Sequence, residues 1–103
     1  ENIIFQELRR RTTFPIYYYK TSNGLEVDFF VESYKKGRML IQVCYDLSDE
    51  DVLEREVRAL KEAAIDTKIT QLKLLFIKPP KVFEKNGKIE FIPVWRFLLK
   101  EDF

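Results

Sequence analysis

The chain has 103 residues, 46% hydrophobic and 15% aromatic, with three Gly and four Pro; this suits one packed domain over 1–103 and is too apolar for a disordered tail. It holds no His and one Cys, Cys44, which excludes the usual zinc sets, Ser-His-Asp or Cys-His catalysis and an intrachain disulfide. Eighteen Lys and Arg against 17 Asp and Glu give a net charge of +1, pointing neither to a strongly basic nucleic-acid binder nor to an acidic solvating protein.

The first segment, Glu1 to Arg11, places Ile4, Phe5 and Leu8 at helical spacing and predicts an amphipathic helix ending in Arg9-Arg10-Arg11. Ile16 to Lys20 is aromatic and β-favouring, Thr21-Ser22-Asn23-Gly24 supplies turn chemistry, and Leu25 to Glu32 alternates, so a hairpin is expected. In its second strand Leu25, Val27, Phe29 and Val31 should share one face and Glu26, Asp28, Phe30 and Glu32 the other. After a turn at Lys35-Lys36-Gly37, Arg38 to Tyr45 predicts a third antiparallel strand, with Met39, Ile41, Val43 and Tyr45 opposite Leu40, Gln42 and Cys44.

Ser48 is the expected N-cap of a helix whose acidic first turn, Asp49 to Asp51, suits the positive end of the helix dipole. Leu53, Val57, Leu60 and Ala64 give it an apolar stripe, and Asp51–Arg55 and Glu54–Arg58 are i,i+4 pairs. A strand at Leu72 to Ile77 ends before Pro79-Pro80. Val82 to Glu84 with Ile89 to Ile92 predicts a small second hairpin, and Pro93 should open a short last helix carrying Trp95, Phe97, Leu98 and Leu99. The order implies an α/β domain with a mixed sheet, since the helical crossover lets the fourth strand lie parallel in the sheet.

Charge is segregated along the chain: Asp46 to Asp66 holds eight acids and three bases, and Thr67 to Lys100 two acids and eight bases. One acidic and one basic face is one reading, and ordinary solvated surface is the simpler one for each run. No apolar stretch approaches the roughly 20 residues of a membrane span, so no membrane partner is expected. A lone thiol suits the cytoplasm. The opening at Glu1-Asn2-Ile3-Ile4-Phe5, without Met, reads as a piece of a longer protein.

The run Tyr17-Tyr18-Tyr19-Lys20-Thr21-Ser22-Asn23-Gly24-Leu25-Glu26-Val27-Asp28-Phe29, with Leu40-Ile41-Gln42-Val43-Cys44-Tyr45-Asp46 before the helix, resembles the C-terminal domain of unknown function of prokaryotic, archaeal or bacterial, AAA-type ATPases. That family is related to the PD-(D/E)XK, restriction-endonuclease-like nucleases. The resemblance implies a restriction-endonuclease-like α-β-β-β-α-β core, here with an added C-terminal hairpin and short helix. It also implies an ATPase domain of the same chain as partner, with ATP bound only there, because this sequence has no G-x-x-x-x-G-K-[ST] loop.

In active members of the superfamily a helix Glu, a strand Asp and a Glu-x-Lys pair converge; the carboxylates hold Mg²⁺ and the Lys helps activate water. Carried onto this sequence, these positions are Glu1 (with Glu7 a poorer stand-in), Asp28, Gln42 and Cys44. Gln42 offers a neutral oxygen and Cys44 a thiol in place of an ammonium. The site is therefore expected to be degenerate, with no cofactor, or at most weak Mg²⁺ at Asp28 and Glu1. The implied function is a non-catalytic nuclease-fold accessory domain, acting in interdomain contact, self-association or nucleic-acid engagement. One alternative is an active nuclease with migrated groups, drawn from Glu26, Glu32, Lys20 and Lys36. Another is a DNA-binding module that does not cut. Arg9, Arg10, Arg11 and Lys20 are the candidate nucleic-acid contacts, with Tyr17 to Tyr19 as candidate stacking rings, although a strand-borne aromatic run more often packs.

Overall fold

A computed structural model describes residues 2–81 and 88–99. In chain order the elements are α1 (Asn2–Arg11), β1 (Tyr17–Lys20), β2 (Glu26–Ser33), β3 (Gly37–Val43), α2 (Glu50–Thr67), β4 (Gln71–Phe76), β5 (Ile89–Pro93) and α3 (Val94–Leu99). The strands form one sheet in the order β1-β2-β3-β4-β5. The first three are antiparallel, while β4 runs parallel to β3 and β5 parallel to β4. The mixed sheet is thus the one the crossover through α2 demands. The expected arm Val82 to Glu84 lies outside the described residues; Ile89 to Ile92 is a strand, and it pairs in parallel with β4.

The helices cover both faces. On one side α2 packs Leu53, Val57, Leu60 and Ala63 against Leu40, Leu72, Leu74 and Phe76. On the other, Ile4 and Leu8 of α1 and Phe97 of α3 pack with Phe29, Val31, Met39, Ile41 and Leu75. Ile4 and Leu8 are one helical turn apart and fully buried, whereas Phe5, beside that stripe, is part-exposed and stacks its ring on Phe29 at 6.3 Å. β3 alternates as its sequence requires: Met39, Ile41 and Val43 face α1 and α3, and Leu40 and Cys44 face α2.

β2 does not alternate throughout. Leu25, Val27 and Phe30 pack on the α2 side, and Phe29 and Val31 on the other. The pairing with β1 shows why: Tyr17 faces Phe30 but Tyr19 faces Val27, so Asp28 and Phe29 together stand opposite Tyr18. This is a β-bulge, which inserts one residue and reverses the sidedness beyond it. The expected common face of Val27 and Phe29 is corrected accordingly.

Two helix boundaries also move. Asp49, not Ser48, caps α2: its Oδ1 accepts from the backbone N–H of Asp51 (2.9 Å) and Val52 (3.3 Å). Ser48 instead donates its hydroxyl and backbone N–H to Asp46 Oδ1. Pro93 ends β5 rather than opening α3, and of the apolar residues of α3 Phe97 is buried while Trp95 and Leu99 are exposed. At the other end of α2, Lys68 takes a left-handed conformation (φ 61°) and donates its N–H to Ala64 O. Among the described residues no helix is long and apolar enough to cross a membrane.

Candidate functional site

The bulge sits where β2 and β3 separate. Their ladder runs from Ser33↔Gly37 to Phe29↔Ile41, so the next pair would be Asp28 and Gln42. Side chains take over there from the backbone. Gln42 Oε1 accepts the Asp28 N–H (2.8 Å), Gln42 Nε2 donates to Glu26 O (3.0 Å), and Asp28 Oδ2 accepts the Val43 N–H (2.8 Å). Gln42 is 3% exposed, and its amide, with one acceptor and two donors, replaces a missing rung in both directions.

Beside this lock opens a cavity of about 520 Å³, lined by Leu25, Glu26, Asp28, Gln42, Cys44, Arg55 and Glu56 among others. Cys44 is half-buried, its thiol donating to Asp46 O at 3.6 Å. Burial raises the thiol pKa, and the Glu56 carboxylate raises it further, so Cys44 is a neutral thiol at neutral pH. Asp46 carries a carboxyl pKa lowered by the Ser48 hydroxyl and N–H. Among the described residues no group of three or more His, Cys, Asp or Glu is placed to hold a metal ion. Glu1 lies outside the described residues.

Arg55 and Glu56 line the cavity without having been expected there. Arg55 lies 3.5 Å from Glu56, not on the Asp51 one turn back. Arg55, Glu56 and Ala59 follow at helical spacing, and α2 starts at the end of the sheet where β3 finishes, so its first turns face the same cavity. That spacing was the signal available in the sequence.

The model of a family described as a domain of unknown function (DUF4143) matches residues 1–97. The chain belongs to the DUF4143 family. A protein of Methanocaldococcus jannaschii, described as uncharacterized, is 35% identical over 109 residues, covering 96% of this chain and 24% of its own length. The DUF4143 domain thus spans about a quarter of the curated relative it matches. No solved structure matches it.

Of the candidate phosphate contacts, the DUF4143 domain separates one from the rest. Arg9, Arg10 and Arg11 close α1, while Lys20 ends β1 opposite Glu26, at the Asp28 end of the sheet. Arg11 is a structural clamp: its side chain is 3% exposed, donates to Glu7 Oε2 (2.6 Å) and Phe97 O (2.5 Å), and lies 4.4 Å from the Phe97 ring centroid. Its guanidinium is therefore turned inward, not toward a ligand, because it joins α1 to α3. Arg10 also reaches Glu7 (2.6 Å), and Arg9 is exposed. Tyr17 and Tyr18 are exposed on the edge strand, and Tyr19 is half-buried, its hydroxyl on Asp66 (3.3 Å).

Proposed function

We propose that this is a non-catalytic, nuclease-fold accessory domain of a cytoplasmic prokaryotic ATPase, serving interdomain or protein contacts and engaging nucleic acid without cutting it. The element order α-β-β-β-α-β supports a restriction-endonuclease-like core, with β5 and α3 as additions. The relative's greater length leaves room for an ATPase portion.

One observation carries the loss of catalysis. Asp28 and Gln42, at the positions of the metal-binding carboxylates, are bonded into the gap between β2 and β3. Mg²⁺ takes hard oxygen ligands in near-octahedral geometry. Here Gln42 Oε1 already serves an N–H, its nitrogen is a donor, and Cys44 presents a protonated thiol, so this donor set does not fit the ion. The migrated-group alternative fares little better. Glu32 stands opposite Arg38 in the β2–β3 register and Lys36 sits in the β2–β3 turn, about 13 to 17 Å along the strand from Asp28 at 3.3 Å per residue. Only Lys20 and Glu26 share its end.

The test is incubation with Mg²⁺ or Mn²⁺ and plasmid, junction or single-stranded DNA, beside Asp28→Asn, which keeps an acceptor for the Val43 N–H. No cleavage above the variant is expected. Metal-dependent cleavage lost in Asp28→Asn, with its circular dichroism unchanged, would sink the proposal.

A further inference from the structure

The end of the sheet away from Asp28 gathers cations from segments far apart in sequence. Thr12, just after α1, donates its hydroxyl to Glu32 O (2.6 Å) near the end of β2, and Phe14 packs its ring on Tyr34 with centroids 4.8 Å apart. These contacts bring the end of α1, with Arg9, to the β2–β3 turn, with Lys35, Lys36 and Arg38. The Gln71 amide donates to the carbonyls of both Lys36 and Arg38, tying that turn to the start of β4. Leu72 pairs with Ile89, so Lys88 lies at the same level one strand further on.

All five cations are exposed. Among the described residues none has a carboxylate within ion-pair distance. Adjacent unpaired cations repel one another, and an anion with closely spaced charges relieves that repulsion. Among them stands Tyr34, 88% exposed, with its ring held by Phe14. The opposite end is acidic where α2 begins, with Asp49, Glu50 and Asp51, so a polyanion is directed to the basic end.

We infer that this basic end binds single-stranded nucleic acid, the lysines and arginines meeting phosphates and Tyr34 stacking on a base. Phosphates alone would suit duplex, and carboxylates would suit an acidic protein, but neither uses an exposed ring beside the charges; an unpaired base does. The surface goes beyond the non-catalytic reading and lies at the far end of the sheet from the degenerate site. Loss of binding and gain of cleavage are therefore separate results.

The test is fluorescence anisotropy of the chain with a labelled oligothymidine of about 20 nucleotides and a duplex of equal length, from about 50 to 200 mM salt. Tighter binding to the single strand is expected, with a log–log salt slope of about −3, from roughly four phosphates at about 0.7 each. K35E/K36E should weaken binding at least about tenfold and reduce the slope toward about −1. Tyr34→Ala should weaken it about tenfold with the slope unchanged. R58E/K78E, with the same charge change at exposed residues elsewhere, should have no effect. The inference is overturned by absent or salt-independent binding, by an equal loss in R58E/K78E, by preference for duplex, or by polyglutamate competing as well as the oligonucleotide at equal charge.

Discussion

Gln42→Glu puts a carboxylate in nearly the same volume, and it should destabilise the domain in a pH-dependent way. Glutamate can still accept the Asp28 N–H, but ionised it cannot donate to Glu26 O, now 3.0 Å away across a lost hydrogen bond. The bond itself is worth about 1 kcal/mol. The larger cost is a charge at a position 3% exposed, facing a carbonyl and sharing the gap with the Asp28 carboxylate. Together the loss should be about 3 to 4 kcal/mol at pH 8, a large part of the 5 to 15 kcal/mol of a typical domain. Desolvation and like charge both raise the folded pKa of the new carboxyl above its unfolded value. The charge penalty is therefore absent below the ordinary carboxylate range, grows as pH rises through it, and is complete above the folded pKa. Gln42→Ala, which removes both bonds, should cost about 2 to 4 kcal/mol with no such pH dependence. Urea unfolding of both variants at about pH 4.5 and pH 8 separates the effects. A Gln42→Glu protein within about 0.5 kcal/mol of the parent at pH 8 would refute the bridging role of the amide.

Other contacts give equally direct tests. Arg11→Ala should cost about 3 kcal/mol in urea unfolding, because it strips Glu7, Phe97 O and the Phe97 ring of one buried partner, while exposed Arg9→Ala should fall within about 0.5 kcal/mol of the parent. The hydrogen bond from Arg10 lowers the Glu7 pKa, burial opposes it, and Arg11 lowers it further. Its stabilisation is thus present above the unfolded carboxylate pKa and lost as pH falls through the folded one, and Glu7→Gln should flatten that acid limb of a stability–pH curve. Asp66→Ala should release the β1–β2 turn, where Asp66 accepts from Ser22 N–H (2.9 Å) and the Tyr19 hydroxyl, with faster exchange at Ser22. Burial and Asp66 both raise the Tyr19 pKa, so one tyrosine should titrate earlier in that variant. Cys44 should react with a thiol reagent at pH 8 more slowly than free cysteine, and Glu56→Gln should speed it; faster reaction of the parent chain would contradict a half-buried, neutral thiol.

Legibility from the sequence followed the range of the interactions. The α2 stripe, the alternation of β3 and the parallel return of β4 depend on local period and on a chain-order rule, and all three are visible in residue spacing. The bulge at Asp28 and Phe29 is not. Strand alternation assumes one residue per position, and nothing in Val27-Asp28-Phe29-Phe30 marks the extra one. Its cause is distant: Gln42, fourteen residues on, supplies the side chain that makes an open rung tolerable. The identities of Gln42 and Cys44 can be read from the sequence, but the bridging work of Gln42 cannot. The inward turn of Arg11 is hidden for the same reason, since its partner Phe97 is 86 residues away.

Charge segregation along the chain becomes segregation in space through topology. The crossover must carry the chain from the end of β3 to the start of β4, so the acidic first turn of α2 is bound to the end holding Asp28, and Lys68 leads back toward the end where β3, β4 and β5 all begin. The net charge of +1 conceals this, because two opposed poles cancel in a sum. A phosphate chain approaching the Asp28 end meets Asp49, Glu50 and Asp51 at the start of α2. Gln42 and Asp28 are bonded between β2 and β3 at that pole, and the exposed Arg9, Lys35, Lys36, Arg38 and Lys88 at the other end of the sheet are where an approaching anion meets opposite charge.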